Sequence, residues 1–238
     1  MTTDPYHYVG DELDLFAAAT NWKAYFRRQI QPYLGPTVLE VGAGLGGTTR
    51  ALCTGTERRW ACLEPDPQLA ARLQAEQAAG RLPAGCEIVV GTLDDQLADD
   101  QFDSVLYMDV LEHIEGDAAE LVRAARRVAP GGHLVVLSPA HQWLFTPFDR
   151  SIGHCRRYSM ASLRAVGPPG LDLAWLGYLD SVGFFASLAN KMLLQQAMPT
   201  PKQISFWDKV LVRTSTWVDP ILAHRAGKSV LGVWRRPA

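Results

Sequence analysis

The most informative segment of this chain is Val38-Leu39-Glu40-Val41-Gly42-Ala43-Gly44-Leu45-Gly46-Gly47-Thr48-Thr49. Within it, the apolar run Thr37–Val41 predicts a strand that leads directly into a turn of glycines. The turn opens a helix predicted over Thr48–Cys53. Glycines let the backbone turn sharply and let a ligand lie against it with no Cβ in the way. By itself the pattern is weak, because nucleotide-binding turns of several kinds share it.

Apolar strand patterns and helical patterns alternate after this segment. The predicted strands are Arg59–Leu63, Glu87–Val90, Phe102–Tyr107 and His133–Ser138, and the predicted helices are Pro67–Ala79 and Asp117–Val128. The run Pro130-Gly131-Gly132 marks a stop after the last of these helices. This rhythm predicts an α/β fold with a parallel sheet and helices on both faces.

The pattern becomes less regular after the fifth strand. It predicts a short helix over Ser159–Val166 with Ser159 as its cap, and a strand over Leu171–Tyr178. Two helices with apolar stripes follow, Val182–Met198 and Ile204–His224, and Pro220 should end or kink the second. Because Ser229–Trp234 is predicted as a closing strand, the two helices form an insertion between the last two strands.

Composition indicates an ordinary globular protein. Apolar residues make up 47% of the 238, enough for a substantial core. The four cysteines lie far apart without a Cys-x-x-Cys pair, which favours a reducing cytoplasm over a disulfide framework or a zinc site. The first twenty residues lack the pattern of a signal peptide, and no apolar run reaches the length of a membrane span. We therefore expect a cytoplasmic protein without stable membrane insertion.

Charge is divided unevenly along the chain. Residues 1–149 carry 11 Lys and Arg against 21 Asp and Glu, a net of -10, whereas residues 150–238 carry 12 against 4, a net of +8. The bias fits either solvated surfaces or a basic half that attracts an anionic acceptor or a membrane surface. Neither half interleaves aromatic and basic residues as a nucleic-acid groove does, so no nucleic-acid partner is expected.

Further motifs follow the glycine turn in a fixed order. They are Leu63-Glu64-Pro65-Asp66 after the second strand, Gly91-Thr92-Leu93-Asp94 after the third, Phe102–Ile114 across the fourth, and Val128–Leu134 before the fifth. An acidic side chain after the second strand can accept both hydroxyls of a ribose, a feature that NAD enzymes share. The complete set, over about residues 35–140, resembles the class I, seven-stranded Rossmann-like, S-adenosylmethionine-dependent methyltransferases.

The rest of the chain resembles a narrower bacterial, small-molecule subgroup of that family. The segments that carry this resemblance are Asn21-Trp22, Pro139–Phe145 and Phe148–Ser159. The resemblance implies one methyltransferase domain over residues 1–238 with a mostly parallel seven-stranded sheet. Within it, residues 1–34 would form an N-terminal helical cap, 35–140 the cofactor-binding core, and 182–224 a helical lid.

The resemblance also implies which residues bind S-adenosylmethionine. The glycine turn, namely Gly42, Ala43 and Gly44, would pass the methionine part, and Glu40 would support the turn. Glu64, followed by Pro65, would bind the ribose, and Thr92 and Leu93 would flank the adenine, which backbone groups or Asp94 would read. Met108 and Asp109 would lie at the methionine end, and Trp22 or Tyr25 would cover the cofactor.

Several of these residues also have structural interpretations. Glu40 would simply cap the glycine turn, Asp109 would cap a helix, and the two aromatic residues would belong to the core. Glu64 and the glycines lack an equally good structural interpretation. Their place in the order of strand, turn and helix is the one that a bound nucleoside requires.

Methyl transfer needs alignment of the acceptor, and needs a general base only where the acceptor loses a proton. The best candidate bases are His141 and His113, and His154 is a third possibility. Candidate acceptor-binding residues are His154, Arg156, Arg157 and Tyr158; the last three would grip a carboxylate or phosphate, or would pin a long loop to the sheet. We find no metal-ligand spacing, so a metal-independent reaction is expected.

Other interpretations stay open from the residues alone. An NAD(P)-dependent oxidoreductase would need its own catalytic group, and the chain contains no Tyr-x-x-x-Lys pair. A non-catalytic nucleotide-binding module is a further alternative, against which the intact glycine turn and Glu64 argue. The inserted helices fit a lid over an apolar or aromatic small-molecule acceptor, a surface that touches lipid, or a homodimer interface.

Overall fold

A computed structural model describes Leu13, Phe16 and residues 18–94, 100–193 and 200–238, with no side-chain description for 189–193. The strands are β1 Thr37–Val41, β2 Arg59–Glu64, β3 Cys86–Val90, β4 Phe102–Met108, β5 Val128–Pro139, β6 Asp172–Leu179 and β7 Ser229–Arg235. The helices up to β6 are α1 Thr20–Ile30, α2 Gly47–Leu52, α3 Pro67–Ala78, α4 Asp117–Arg127, α5 Pro147–Ser151 and α6 Met160–Ala165. Between β6 and β7 lie α7 Ser181–Leu193, α8 Pro201–Phe206, a π-helical turn Trp207–Val212 and α9 Arg213–Ile221.

The seven strands form one sheet in the order β3-β2-β1-β4-β5-β7-β6. The first five are parallel, and β7 runs antiparallel between β5 and β6. The chain order reverses between β1 and β4, so a crevice opens there at the carboxyl ends of the strands, where open α/β sheets bind ligands. The predicted α/β class, the mostly parallel seven-stranded sheet and the helical insertion before the last strand are all confirmed.

The sheet is buried on both faces, as parallel sheets are. Along β1, Val38 and Leu39 are both fully buried although they point to opposite faces, and each belongs to a different apolar cluster. One cluster includes α1 residues such as Phe26, and the other includes α4 residues such as Leu121. Helices therefore cover both faces and leave the carboxyl edge of the strands for a site.

Local capping explains where two helices begin. The Asp66 carboxylate accepts hydrogen bonds from Gln68 N and Leu69 N, and Pro67 occupies the first helical position, where its missing N–H costs nothing. Ser159 caps α6 by accepting from Ser162 N, as the sequence predicts.

Some boundaries differ from the predicted ones. Strand β5 begins at Val128 rather than at His133, because Gly131 takes φ +77 and its N–H donates to Arg236 O, which keeps the Pro-Gly-Gly run in the sheet. The helix predicted over Ile204–His224 begins at Pro201 and contains the π-helical turn; it ends at Ile221, one residue after Pro220.

Parts of two predicted helical segments lie outside the described residues. These are residues 1–12, 14, 15 and 17 of the predicted N-terminal helical cap, 1–34, and residues 194–198 of the predicted helix Val182–Met198. The part of the chain that the structure describes has no helix with both the length and the apolar character to cross a membrane.

Candidate active site

The glycine turn after β1 adopts a backbone that side chains rarely allow. Gly42, Gly44 and Gly46 have φ values of +69, +54 and +71. A Cβ on Gly42 would lie 2.7 Å from Val110 Cγ2, so the position is also crowded. The N–H of Gly42 donates to Leu63 O at 2.8 Å, which fixes the turn to the end of β2. The turn thus presents main chain to the crevice beside the second strand.

Glu64 ends β2 and turns its buried carboxylate toward the glycine turn. Its Oε2 accepts from Gly44 N at 2.7 Å and its Oε1 from Asp66 N at 3.0 Å. Burial raises the pKa of Glu64, while the two backbone hydrogen bonds oppose that rise. The two N–H donors hold both carboxylate oxygens in place, so the acid is oriented before any ligand arrives.

Glu40 lies beneath the turn, in the interior. Its Oε2 accepts from Thr49 Oγ1 at 2.7 Å and from Trp60 Nε1 at 3.0 Å. Burial raises the pKa of Glu40 to about 7. The Glu40 side chain ties β1 to α2 and to β2, as expected of a residue that supports the glycine turn. A contact between Glu40 and a ligand stays a prediction.

The segment after β3 approaches the end of β2, since Gly91 N donates to Glu64 O at 3.1 Å. Of the predicted adenine residues, Thr92 is half-buried and the Leu93 side chain is 2% exposed, with its carbonyl accepting from Arg127 Nη2 at 3.0 Å. A ligand at Leu93 would therefore meet main chain more readily than side chain. Asp94 is exposed and pairs with Arg123 at 3.5 Å.

Asp109 follows β4 at the floor of the crevice, beside the buried Met108. It has φ +56, a conformation that Asp tolerates better than most residues, and its N–H donates to Leu137 O at 2.8 Å. Asp109 is exposed to solvent, yet many protein atoms lie around its carboxylate. Their desolvation of the charged form raises the pKa of Asp109 to about 6. Electrostatic interactions with His154, Lys228 and Lys23 oppose that rise.

Sequence reasoning missed Lys23 and Lys228, which both act electrostatically on Asp109. Lys23 Nζ donates to Phe16 O at 3.0 Å, and Lys228 Nζ lies 4.6 Å from the ring centre of Trp207. Lys228 directly precedes β7. Because β7 runs antiparallel to its neighbour, its first residue lies at the carboxyl edge of the other strands, and only the strand direction reveals this.

His141 follows β5 and lies among aromatic rings. Its ring centre is 4.8 Å from that of Tyr178 and 4.9 Å from that of Phe184, with Trp143 at 5.7 Å. Its Nε2 is 3.0 Å from Gly227 O, and burial lowers its pKa. The imidazole is thus neutral at ordinary pH, and with one nitrogen on Gly227 only the other is available to act as a base, a role that stays a prediction.

His113 and His154, predicted for different roles, lie together. Their ring centres are 4.6 Å apart at an interplanar angle of 81°. Burial, and then the neighbouring His154, lower the pKa of His113 to about 4. His154 Nδ1 lies 3.0 Å from Asp149 Oδ1. Because the two histidines are 41 positions apart in the sequence, their spacing does not predict this contact.

The predicted acceptor grip, Arg156, Arg157 and Tyr158, is engaged within the protein. Arg156 pairs with Asp117, whose carboxylate also accepts from Tyr158 Oη at 2.7 Å. Arg157 forks onto Asp149 through Nε at 2.7 Å and Nη2 at 2.9 Å. These contacts are those expected if the residues pin the loop. The three also line a depression of about 370 Å³, so a role toward an acceptor stays a prediction.

Trp22 packs between α1 and the insertion. It is 7% exposed, and its ring centre lies 5.7 Å from Phe26 and 6.0 Å from Trp207. Asp208 of the insertion accepts from Trp22 N at 2.8 Å. These contacts place the Trp22 ring in the core. They do not test the prediction that Trp22 covers the cofactor.

A buried polar network also joins the insertion to the sheet. Asp219 accepts from Tyr25 Oη at 2.6 Å, Asp180 N at 2.7 Å and Ser181 N at 2.9 Å. Large apolar side chains nonetheless remain on the outer face of the insertion: Phe185, Phe206, Val210, Trp217, Ile221 and Leu222. The three interpretations of the insertion therefore stay open.

Comparison with known proteins gives the following relationships. Residues 39–136 match the family model described as a methyltransferase domain. A chloroplastic tocopherol O-methyltransferase of Arabidopsis thaliana is 25% identical over 210 residues, which cover 84% of this chain but 57% of that protein. The chain thus spans little more than half the length of this curated relative.

Two solved structures illustrate the likeness of fold. Coclaurine N-methyltransferase bound to N-methylheliamine and S-adenosylhomocysteine superposes with a TM-score of 0.62 at 13% identity, covering 92% of this chain and 73% of that one. The N-methyltransferase NodS of Bradyrhizobium japonicum WM9, in complex with S-adenosylhomocysteine, superposes with a TM-score of 0.57 at 14% identity, covering 91% and 86%.

Proposed function

We propose that this chain, whose residues 39–136 match the family model of a methyltransferase domain, is a class I methyltransferase that transfers the methyl group of S-adenosylmethionine to an O, N or C atom of a small-molecule acceptor. The observation that carries the proposal is the carboxylate of Glu64, held by Gly44 N and Asp66 N beside the glycine turn. A carboxylate there can accept two ribose hydroxyls. The S-adenosylhomocysteine complexes of structural relatives support the same cofactor.

The residues present fit that cofactor. Among the described residues, a Cβ added at Gly44 would find only the Leu13 side chain within 4 Å, at 3.6 Å, so the turn presents mainly backbone at this point. Asp109 follows β4 at the crevice and interacts electrostatically with Lys23. A carboxylate and an ammonium group suit the ammonium and the carboxylate of a methionine moiety, respectively. S-adenosylmethionine would supply a methyl group on a sulfonium, which is already activated for in-line transfer.

The chain's own groups would bind and orient the acceptor and hold its proton. The aromatic rings of Tyr178, Phe184 and Trp143 around His141 support an apolar or aromatic acceptor. His141 and His113 have lowered pKa values and are neutral at ordinary pH, so either suits an acceptor that must lose a proton. Free cysteines support a reducing compartment such as the cytoplasm, since the thiols of Cys53 and Cys86 stay reduced although their Sγ atoms are 3.7 Å apart.

Calorimetry tests the cofactor. The wild-type chain should bind S-adenosylhomocysteine with one site and should bind NADH weakly or not at all. Glu64→Ala removes the acceptor for two hydroxyls, so affinity should fall by roughly 10- to 100-fold, as expected for lost hydrogen bonds to a charged group. Glu87→Ala, an exposed acid on the neighbouring strand β3, is the matched control and should change nothing.

The results separate the alternatives. NADH binding in place of S-adenosylhomocysteine would favour an oxidoreductase, and binding of neither would favour a module without this chemistry. Unchanged affinity in a folded Glu64→Ala variant would remove the ribose assignment. A screen of candidate acceptors with a radiolabelled methyl donor then tests transfer itself. If no acceptor in a broad panel becomes labelled, the small-molecule class is contradicted.

A further inference from the structure

Three side chains that could hold a metal ion converge beside the crevice. Glu112 and His113 lie on a 3₁₀ turn, Leu111–His113, that follows β4, and His154 comes from the loop after α5. One ligand atom from each lies within 4.8 Å of the other two. The crevice residue Asp109 interacts electrostatically with both Glu112 and His154, so the cluster borders the candidate active site.

Only one of the two carboxylate oxygens of Glu112 accepts a hydrogen bond from the described residues. Glu112 is 0% exposed; its Oε2 accepts from Ser138 Oγ at 2.9 Å, but its Oε1 has no hydrogen-bond partner among the residues that the structure describes. A buried carboxylate oxygen without a partner costs free energy, because water no longer solvates it. That same oxygen lies 3.8 Å from His154 Nε2 and faces the cluster.

The two imidazoles are oriented as metal-binding histidines usually are. His154 Nδ1 lies 3.0 Å from the Asp149 carboxylate, which leaves Nε2 directed at Glu112. Arg157 and Thr146 fix that carboxylate in turn. His113 makes its own hydrogen bond to the backbone of Gly153. A carboxylate or carbonyl on the second ring nitrogen orients the first nitrogen toward a metal and raises its basicity.

We propose that Glu112, His113 and His154 bind a divalent first-row transition-metal ion such as Zn²⁺, with its remaining coordination positions open. Two imidazoles and one carboxylate are a ligand set that such ions accept. Metal–nitrogen bonds of about 2.0–2.1 Å place ligand atoms roughly 3.3 Å apart in a tetrahedral site, so the three atoms need to close by about 1.5 Å at most. The proposal needs no bound cofactor, and a metal ion on His113 would leave His141 as the candidate base.

The competing explanation is a protonated Glu112 that closes onto His154 Nε2 and satisfies both groups. In that case the cluster is a buried hydrogen-bonded network that links β4 to the loop, and metal ions find no site there. Metal-binding measurements on the chain alone, without any methyl donor, separate the two explanations. Failure of the metal site would leave the proposed methyl transfer untouched, and the reverse also holds.

The experiment titrates chelator-stripped wild-type chain with Zn²⁺ by calorimetry and with Co²⁺ by visible absorption. We expect one binding site, with the intense d–d bands of Co²⁺ in a tetrahedral site. His154→Gln and Glu112→Gln should each weaken binding at least 10-fold, and Asp149→Asn should weaken it by about 10- to 100-fold through the orientation of His154. His133→Gln, a half-buried histidine on β5 beside Tyr33, is the control and should bind as the wild type does.

A readout on the wild-type chain protects the test against variants that fail to fold. In NMR spectra of the imidazole rings, Co²⁺ should shift the signals of His113 and His154 and leave that of His133 unchanged. Equal affinity in the wild-type chain and a folded His154→Gln or Glu112→Gln variant would overturn the proposal. So would Co²⁺ shifts confined to other histidines, or no saturable binding at all.

Discussion

The substitution Gly42→Ala tests whether the glycine turn has the geometry described. An L-residue pays about 1–2 kcal/mol in the left-handed region, where Gly42 has φ +69. Its Cβ would also lie 2.7 Å from Val110 Cγ2, and overpacking typically costs about 1–3 kcal/mol. A gain of about 0.4–1 kcal/mol from a stiffer unfolded chain offsets part of this. The net loss should be about 2–4 kcal/mol, or roughly 5–15 °C in Tm for a chain of this size.

Urea denaturation of four variants, Gly42→Ala, Gly55→Ala, Val110→Ala and Gly42→Ala/Val110→Ala, separates the two causes. Gly55→Ala is the control for the dihedral cost alone, since Gly55 has φ +79 and an added Cβ there would find none of the described residues within 4 Å. It should lose about 1 kcal/mol. In the double variant Gly42→Ala/Val110→Ala the crowding is relieved, so the two losses should be non-additive by about 1 kcal/mol or more. Equal losses for Gly42→Ala and Gly55→Ala, with additive effects at Val110, would refute the reasoning.

Three further substitutions test the buried carboxylates of Glu40 and Asp219. The folded chain raises the pKa of Glu40 from 4.5 to about 7, so this group's stabilisation is present below about pH 4.5 and is lost as pH rises through about 7. Glu40→Gln stays neutral, so denaturation at about pH 5 and about pH 8 should show the variant gaining roughly 3 kcal/mol relative to wild type; parallel profiles would contradict this. Asp219→Ala leaves Tyr25 Oη and two buried N–H groups without their acceptor and should cost more than about 3 kcal/mol. Asp219→Asn retains one acceptor oxygen and should cost less, and an equal cost in both variants would contradict the network.

Much of the fold is predictable from local patterns. Strand β1 has the bounds that the sequence predicts, Thr37–Val41. The apolar, β-branched run ends at Gly42, whose positive φ of +69 ends the extended backbone. The insertion is predictable because its two apolar stripes lie between two strand patterns. The π-helical turn at Trp207–Val212 and the early start of β5 are not, since tertiary contacts rather than local propensity decide them.

The candidate site is predictable only where its residues adjoin the motif. Glu64 and the glycine turn are neighbours through the order of β1 and β2, which the sequence reveals. Lys228 reaches the crevice through the antiparallel direction of β7, and His154 reaches His113 through a loop fixed by Arg157 and Asp149. Such contacts depend on chain paths that no spacing encodes. The bacterial subgroup suggested by the loop segments stays a prediction.

A crystal structure grown with S-adenosylhomocysteine tests the central claim most directly. The account predicts the nucleoside across the carboxyl ends of β1 and β2, with both ribose hydroxyls within hydrogen-bond distance of the Glu64 carboxylate and the amino-acid part beside Gly42 and Gly44. A ligand bound elsewhere, or one whose ribose avoids Glu64 while that side chain stays on Gly44 N, would contradict it.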